Sequence, residues 1–387
     1  EKGGIHQRIF KHLEWPIPSA KLLDPACVVD LGDGSRPIHL WQNPLKWRKE
    51  RTNQFPGSER FWTLCNFLHK RNWSFAQANP ILPIANFWDF RQLLSAINPL
   101  VLLSGFFSRS SVSDLLCLCA CNQDERLKKF LDLQLKLYSQ EFSDNTAALY
   151  GATVLQIAQA PLGLFHLMGS MQTLSDDLEA CLLRDGGKLL LRHKVLKLYP
   201  GNKDLPWGVD VIDHAGSLVR FNAADIIFTL PPQCLLDVIP QGTGLPTHYQ
   251  NRLEELPQPS GAITFYGAIE RKNLREINSS HFQFLIDDIG SLFVSISQDG
   301  DGRAPLGEAT VIASAFTEVD LWMSLNVSDY QMQKKAFLEK IVTALNLCFD
   351  ISSEKWLHCE LGTPRSFAKW TGRPNGIVGG LGQSPDN

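Results

Sequence analysis

"GSMQTLSDDLEACLLRDGG", Gly169–Gly187, is the stretch on which the fold turns. It reads as a helix entered through a glycine turn and closed by Gly186-Gly187, glycine being the residue that most easily ends a helix in left-handed backbone. Three alternating segments follow: "KLLLRHKVLKLYPG" (Lys188–Gly201), "WGVDVID" (Trp207–Asp213) and "SLVRFN" (Ser217–Asn222). A His214-Ala215-Gly216 turn splits the last two, so the three predict a β-meander. "ADIIFTLPP" (Ala224–Pro232) has no alternation and ends on two prolines. It predicts a short buried strand covered on both faces, as in a parallel sheet.

Farther along the chain, four strand-like runs begin after Ser260: "AITFYGAIE", "HFQFLID", "SLFVSIS" and "ATVIASAFTE". Ser328 is positioned to cap a long amphipathic helix over Asp329–Phe349, and "KWLHCELGTP" returns as a strand. These predict a second sheet with helices. In the other direction, "CVVDLGDGSRPIHLW" (Cys27–Trp41) reads as a hairpin turning at Asp33-Gly34. Ser58 and Asn86 stand at helix starts, and further helices are predicted over Asp124–Gln140 and Asn145–Ala160. The part before Pro161 is mainly helical and unusually aromatic, with Trp15, Trp41, Trp47, Trp62, Trp73 and Trp88. Such rings suit either a large core or a surface that is wet on one side and apolar on the other.

Composition narrows the classes. The 387 residues carry a net charge of −3, with 44% hydrophobic and 20% charged residues. That is ordinary for a globular protein of two or three domains and leaves no basic excess to hold nucleic acid. The nine cysteines are scattered and odd in number, the pattern of reduced thiols in a cytosol-like compartment. The first residues, "EKGGIHQRIF", show no initiator Met and no signal-peptide pattern. No apolar run approaches the roughly 20 residues that a spanning helix needs, so no membrane crossing is expected.

Most candidate motifs fail on spacing. In "CLCAC", only Cys117 and Cys121 share a helical face, and nothing nearby completes a tetrahedral metal site, so buried apolar thiols are expected. "DGDGRAPLGEAT" (Asp299–Thr310) matches a calcium loop for three positions and then breaks at Arg303, Ala304 and Thr310, which favours a hairpin turn. No nucleophile elbow, zinc-protease helix or phosphate loop occurs. Gly379-Gly380-Leu381-Gly382 has no helix after it to meet a dinucleotide phosphate.

Several of these segments also resemble a known family. Gly169-Ser170-Met171, Gly186-Gly187, Val195, and Asp225-Ile226-Ile227 to Pro231-Pro232 follow the order found in flavin-dependent amine-oxidase-like oxidoreductases of the phytoene desaturase and carotenoid isomerase group. "GGIHQRIF", "FLDLQLKLYSQ", "QAPLGLFHLMGSMQTLSD", "SLFVSISQDGDGRAP" and "GTPRSFAKWTGRPNGIVGG" are similar to the carotenoid 3′,4′-desaturases of oxygenic photosynthetic bacteria. The likeness covers nearly the whole chain.

The resemblance implies a two-domain α/β fold of the FAD/NAD(P)-binding amine-oxidase-like type, with an α+β substrate domain. Residues 1–160 would be a substrate- and membrane-facing region, and 161–236 the middle of the FAD-binding domain. Residues 237–360 would form the substrate-domain sheet and helix, and 361–387 a segment returning to the flavin. In the family a βαβ unit with the glycine-rich loop precedes the counterpart of Gly3-Gly4, and a Gly-Asp motif follows that of Gly379-Gly380. The chain is thus expected to be a fragment, inactive alone.

The implied activity is FAD-dependent desaturation of an acyclic carotenoid end, as in myxol-type xanthophyll synthesis. It would take place on the cytoplasmic side of a photosynthetic membrane, with peripheral attachment and no metal. Val195, Leu230, Pro231, Gly379 and Gly380 would approach FAD; Met171, Gln172, Thr363 and Pro364 would line the substrate. Glu141, Asp176 and Asp177 are all available as a base, and sequence does not separate them. A cis–trans isomerase of the same superfamily and a non-catalytic isoprenoid or lipid carrier are the alternatives.

Overall fold

A computed structural model describes residues 4–202, 204–240, 242, 244–274 and 279–386. Gly3 of the family-like string lies outside them. The chain opens with helix α1 (Ile5–His12), the short strand β1 (Ala20–Leu22), and a hairpin of β2 (Val28–Asp30) and β3 (Ile38–His39). Val28 pairs with His39 and Val29 with Ile38, and the Asp33 carboxylate accepts Ser35 N–H to tighten the turn, as expected from Asp33-Gly34.

Seven helices follow: α2 (Pro44–Gln54), α3 (Glu59–Gln77), α4 (Phe87–Ala96), α5 (Pro99–Gly105), α6 (Val112–Leu118), α7 (Glu125–Ser139) and α8 (Ala148–Val154). Asn86 caps α4 through Asp89 N–H. Ser58 precedes α3 but does not cap it; its hydroxyl donates to Phe55 O and accepts from the Trp62 indole. The helix expected over Asn145–Ala160 is confined to α8, because the chain turns after Val154 and bends into Pro161.

Beyond Pro161 come β4 (Phe165–Leu167), α9 (Gln172–Arg184) and a three-stranded antiparallel meander of β5 (Lys194–Tyr199), β6 (Trp207–Ile212) and β7 (Leu218–Ala223), as predicted. The strand expected at Ala224–Pro232 is not formed. Among the described residues the segment has no ladder partner, and Ile227 is 89% exposed rather than covered on both faces. An apolar run becomes a buried strand only where neighbours supply the hydrogen bonds, and none of the described strands lies alongside it.

Short helices α10 (Leu235–Val238) and α11 (Thr247–Glu254) lead to β8 (Gly261–Glu270), β9 (His281–Ile286), β10 (Gly290–Ile296) and β11 (Glu308–Thr317). After α12 (Asp320–Met323), the long α13 (Val327–Phe349), β12 (Trp356–Gly362) and α14 (Pro364–Thr371) complete the order. The cap of α13 is Asn326, not Ser328: its side chain accepts Asp329 N–H, so the helix starts slightly earlier than expected.

β2, β3 and β8–β12 form one sheet in the order β12-β8-β11-β10-β9-β2-β3, antiparallel except for the parallel β2–β9 pair. Strand alternation assigns the faces. Val28, Phe282, Phe284, Leu292 and Val294 pack with Ile341, Leu345 and Phe349 of α13. Val29, Leu285 and Phe293 face the helical core instead. That core holds much of the aromatic content: the Trp47 and Trp62 rings meet edge to face at 5.6 Å, and Phe55 and Phe130 lie 5.2 Å apart. Not every ring is core. Phe87, Trp88 and Phe106 on or beside α4 and α5 are 80%, 59% and 82% exposed.

Candidate functional site

The turn into α9 is held from outside by the loop between β10 and β11. Gly169 sits at φ 79°, which favours glycine, and Met171 occupies the helix N-cap with its side chain exposed. Gly169 N–H donates to Asp301 O at 2.5 Å. The Arg303 guanidinium donates to Gly169 O at 2.5 Å and to Leu167 O at 2.9 Å. Asp301 is itself anchored: its carboxylate accepts Gln298 N–H at 2.7 Å and Arg303 N–H at 2.9 Å, and bonds His166 Nε2. Sequence suggested only a hairpin turn for "DGDGR". The structure shows a clasp that fixes the Gly169–Met171 turn, and no spacing signal linked Arg303 to a turn so far away in the chain.

Charge in this clasp is set locally. Burial pushes the Asp301 carboxyl up, but the Arg303 and Gln298 N–H groups and the His166 ring outweigh it and hold it below its ordinary value. His281, whose ring lies 6.3 Å from that of His166, is pulled down to about 4, first by burial and then by the neighbouring His166 and Arg303 charges.

The family-implied residues fall in three places. Met171 and Gln172 are at the clasped turn, where the Gln172 amide donates to Asp176 at 2.8 Å. Val195 is exposed on β5, an edge strand of the meander, beside a register shift between Val195 and Lys197. Leu230 is also exposed, and Pro231 leads into the turn before α10.

The third place joins Thr363 and Pro364 to the returning segment. Thr363 is buried, with its hydroxyl 2.9 Å from Tyr330 Oη, and Pro364 is buried beside it. Gly376 has φ 67°, and a Cβ there would overlap the Pro364 carbonyl, so the segment can fold back only on glycine. Gly379 N–H donates to Ser260 O at 3.2 Å, Gln383 N–H donates to Ser139 O at 2.9 Å, and Gly380 is exposed. A Cβ on Gly379 would lie 2.5 Å from Gln140 Oε1, a buried oxygen without a hydrogen-bond partner. On Gly382 it would run into the Glu141 carboxylate.

The three carboxylates left equivalent by sequence are now distinct. Asp176 is engaged by Gln172, Asp177 accepts the Trp15 indole at 3.2 Å, and Glu141 abuts the glycine segment. The "CLCAC" thiols differ too: Cys117 is exposed and Cys121 buried, so burial holds for only part of the group. Among the described residues no cluster of His, Cys, Asp and Glu is arranged to hold a metal. No helix among them is long and apolar enough to cross a membrane.

No family model matches the chain, and no curated protein matches it in sequence. Solved structures do. A putrescine oxidase double mutant from a redesign of cofactor binding aligns with a TM-score of 0.54 at 14% identity, over 92% of this chain and 70% of its own. An oxidoreductase from Methanosarcina mazei gives 0.55 at 14% identity, over 92% and 72%. A protein from Pyrococcus furiosus gives 0.55 at 13% identity, over 92% and 71%. What is shared at such identities is the fold, and the mixed α/β architecture expected from sequence holds.

Proposed function

We propose that this chain is part of an FAD-dependent oxidoreductase that desaturates the 3′,4′ bond of an acyclic carotenoid end while resting on a membrane. The observation that carries the reading is the exposure of the Phe87, Trp88 and Phe106 rings on or beside the consecutive helices α4 and α5, set on the fold of a redox enzyme. A water-soluble substrate needs no such rings. A long polyene is nearly insoluble in water, and an enzyme that rests on the bilayer receives it directly. The family-like strings add the carotenoid and the bond position. The cytoplasmic side of a photosynthetic membrane belongs to the same proposal.

The residues present fit the cofactor at both ends. Val195 lies exposed on an edge strand, so its backbone can meet an adenine, and the exposed Leu230 with Pro231 leads into α10, which packs against β5. At the other end Gly380 is exposed with nothing near the place a Cβ would take, which allows close approach of a flat ring. When bound, FAD supplies the hydride acceptor. The protein's part is to hold Met171 and Gln172 at the edge between cofactor and polyene, to exclude water, and to keep the Gly169 turn in place through Arg303. The substrate loses a hydride from one carbon and a proton from its neighbour.

Deletion of the gene in its source organism tests this through the pigments that accumulate. Desaturation predicts a precursor heavier by two hydrogens. An isomer of unchanged mass would point to the cis–trans isomerase reading. A general fall in pigment with no new species would point to a carrier, and either result removes the desaturase.

A further inference from the structure

We propose a second binding site, independent of that reaction, that takes a free single-chain carboxylate amphiphile. Between α7, the β9–β10 turn and the end of β11 lies a cavity of about 300 Å³, at the lower end of volumes that hold small ligands (about 300–1,000 Å³). Its floor is apolar: Leu133, Leu285, Ile289 and the rings of Phe142 and Phe316. Its mouth is cationic.

The Lys136 ammonium lies over both rings, 5.2 Å from the Phe142 centroid and 5.6 Å from that of Phe316. It donates to Gln140 O at 2.6 Å. An ammonium has three donors, so this arrangement positions the charge at the mouth and leaves two N–H groups for a ligand. Lys129 adds a second charge. Its neighbour Lys128 pairs with Asp144 at 3.4 Å, whereas Lys129 has no carboxylate partner among the described residues. The lone acid in the wall, Asp132, already accepts Ser143 N–H at 2.7 Å.

An apolar floor with a fixed cation at its rim matches one ligand chemistry: a hydrocarbon chain that fills the cavity and a carboxylate that reaches Lys136 and Lys129. Neutral alcohols of the same length lack the charge, and short carboxylates lack the chain.

Isothermal titration of the 387-residue chain with dodecanoate, dodecan-1-ol and acetate tests the proposal. Dodecanoate should bind at least about tenfold more tightly than dodecanol, a factor worth about 1.4 kcal/mol, and acetate should not bind. Lys136→Met keeps the apolar stem between the rings and removes the charge. It should weaken dodecanoate about tenfold and leave dodecanol and the binding of anionic phospholipid vesicles unchanged. Ile289→Trp should fill the cavity and abolish both chain ligands. Unaltered dodecanoate affinity in Lys136→Met overturns the proposal, as does absence of binding by the wild type. So does a Lys136→Met loss confined to vesicles. Should Ile289→Trp fail to melt cooperatively, the Lys136→Met comparison alone decides.

Discussion

The Nε2 of His166 lies 2.7 Å from Oδ2 of Asp301, with each side chain about 1% exposed. β4 and the β10–β11 loop are thereby fastened at a point distant in sequence, and the Gly169 turn rides on the join. Removing the acceptor leaves two half-buried backbone N–H groups and a buried ring nitrogen without their partner. A buried polar group left unsatisfied costs about 1–3 kcal/mol. Asp301→Ala should therefore lose roughly 3–5 kcal/mol in urea unfolding, and Asp301→Asn, which keeps a carbonyl acceptor, markedly less. Equal losses would mean that the carboxylate's bonds contribute little.

Acid should loosen the same region in a defined window. The His281 pKa is about 4 in the fold against 6.5 for the free group. Between those values the unfolded chain binds more protons, so His281 contributes its stability fully above pH 6.5 and loses it as pH falls toward 4. The full shift corresponds to at most about 3 kcal/mol. Asp301 acts lower, because its pKa is held below 3.8. His281→Phe, which can stack on Phe293 as His281 does at 5.7 Å, should flatten the fall in Tm between pH 7 and 5. A variant that declines as steeply as the wild type would remove His281 from the account.

Membrane attachment should depend on exposed rings and not on buried ones. Changing Phe87, Trp88 and Phe106 together to Ser should cut liposome co-sedimentation at least tenfold, since each fully inserted ring is worth about 1.5–3 kcal/mol. Tm should shift by only a few degrees. Trp62→Ser, in the packed core, should do the reverse and lower Tm without changing the surface. Retained pelleting by the triple variant would show that these rings serve another purpose.

Gly376→Ala should undo the returning segment. Left-handed backbone costs a non-glycine residue about 1–2 kcal/mol, and here the new methyl would also meet the Pro364 carbonyl. Amide exchange should then rise at Gly379 and Gln383, whose N–H groups donate to Ser260 and Ser139. Gly380→Ala, with nothing close to its added carbon, is the matched control. Similar exchange in both variants would rule out the steric explanation.

Local rules made much of this legible in sequence. Asp33-Gly34 marked its hairpin, Asn86 its cap, and alternation found the meander and the four strands after Ser260, because each signal lies within a few residues. Failures came where distant partners decide. Ala224–Pro232 has the composition of a buried strand but no neighbour to bond. Asp301 and Arg303 looked like turn residues because His166 and Gly169, which give them their role, lie far away in the chain. The Thr363 hydroxyl likewise meets a partner from a distant helix, Tyr330, that no local signal marks. The distribution of the family-implied residues over three places was not legible either, because their spacing along the chain carries no signal of which of them meet.

Because Val28 is the parallel partner of Phe282, the sheet has to wait for its own beginning to be used. At about 5–20 residues per second of synthesis, roughly 10–50 s pass between the emergence of the two strands. Throughout that interval Val28–Asp30 and Ile38–His39 are an isolated two-stranded hairpin, marginal in water by itself. Its free edge is open to any other extended chain. Such long-separation pairing places the molecule among slow folders, and its yield in a cell should depend on how well that early edge is shielded until β9 arrives.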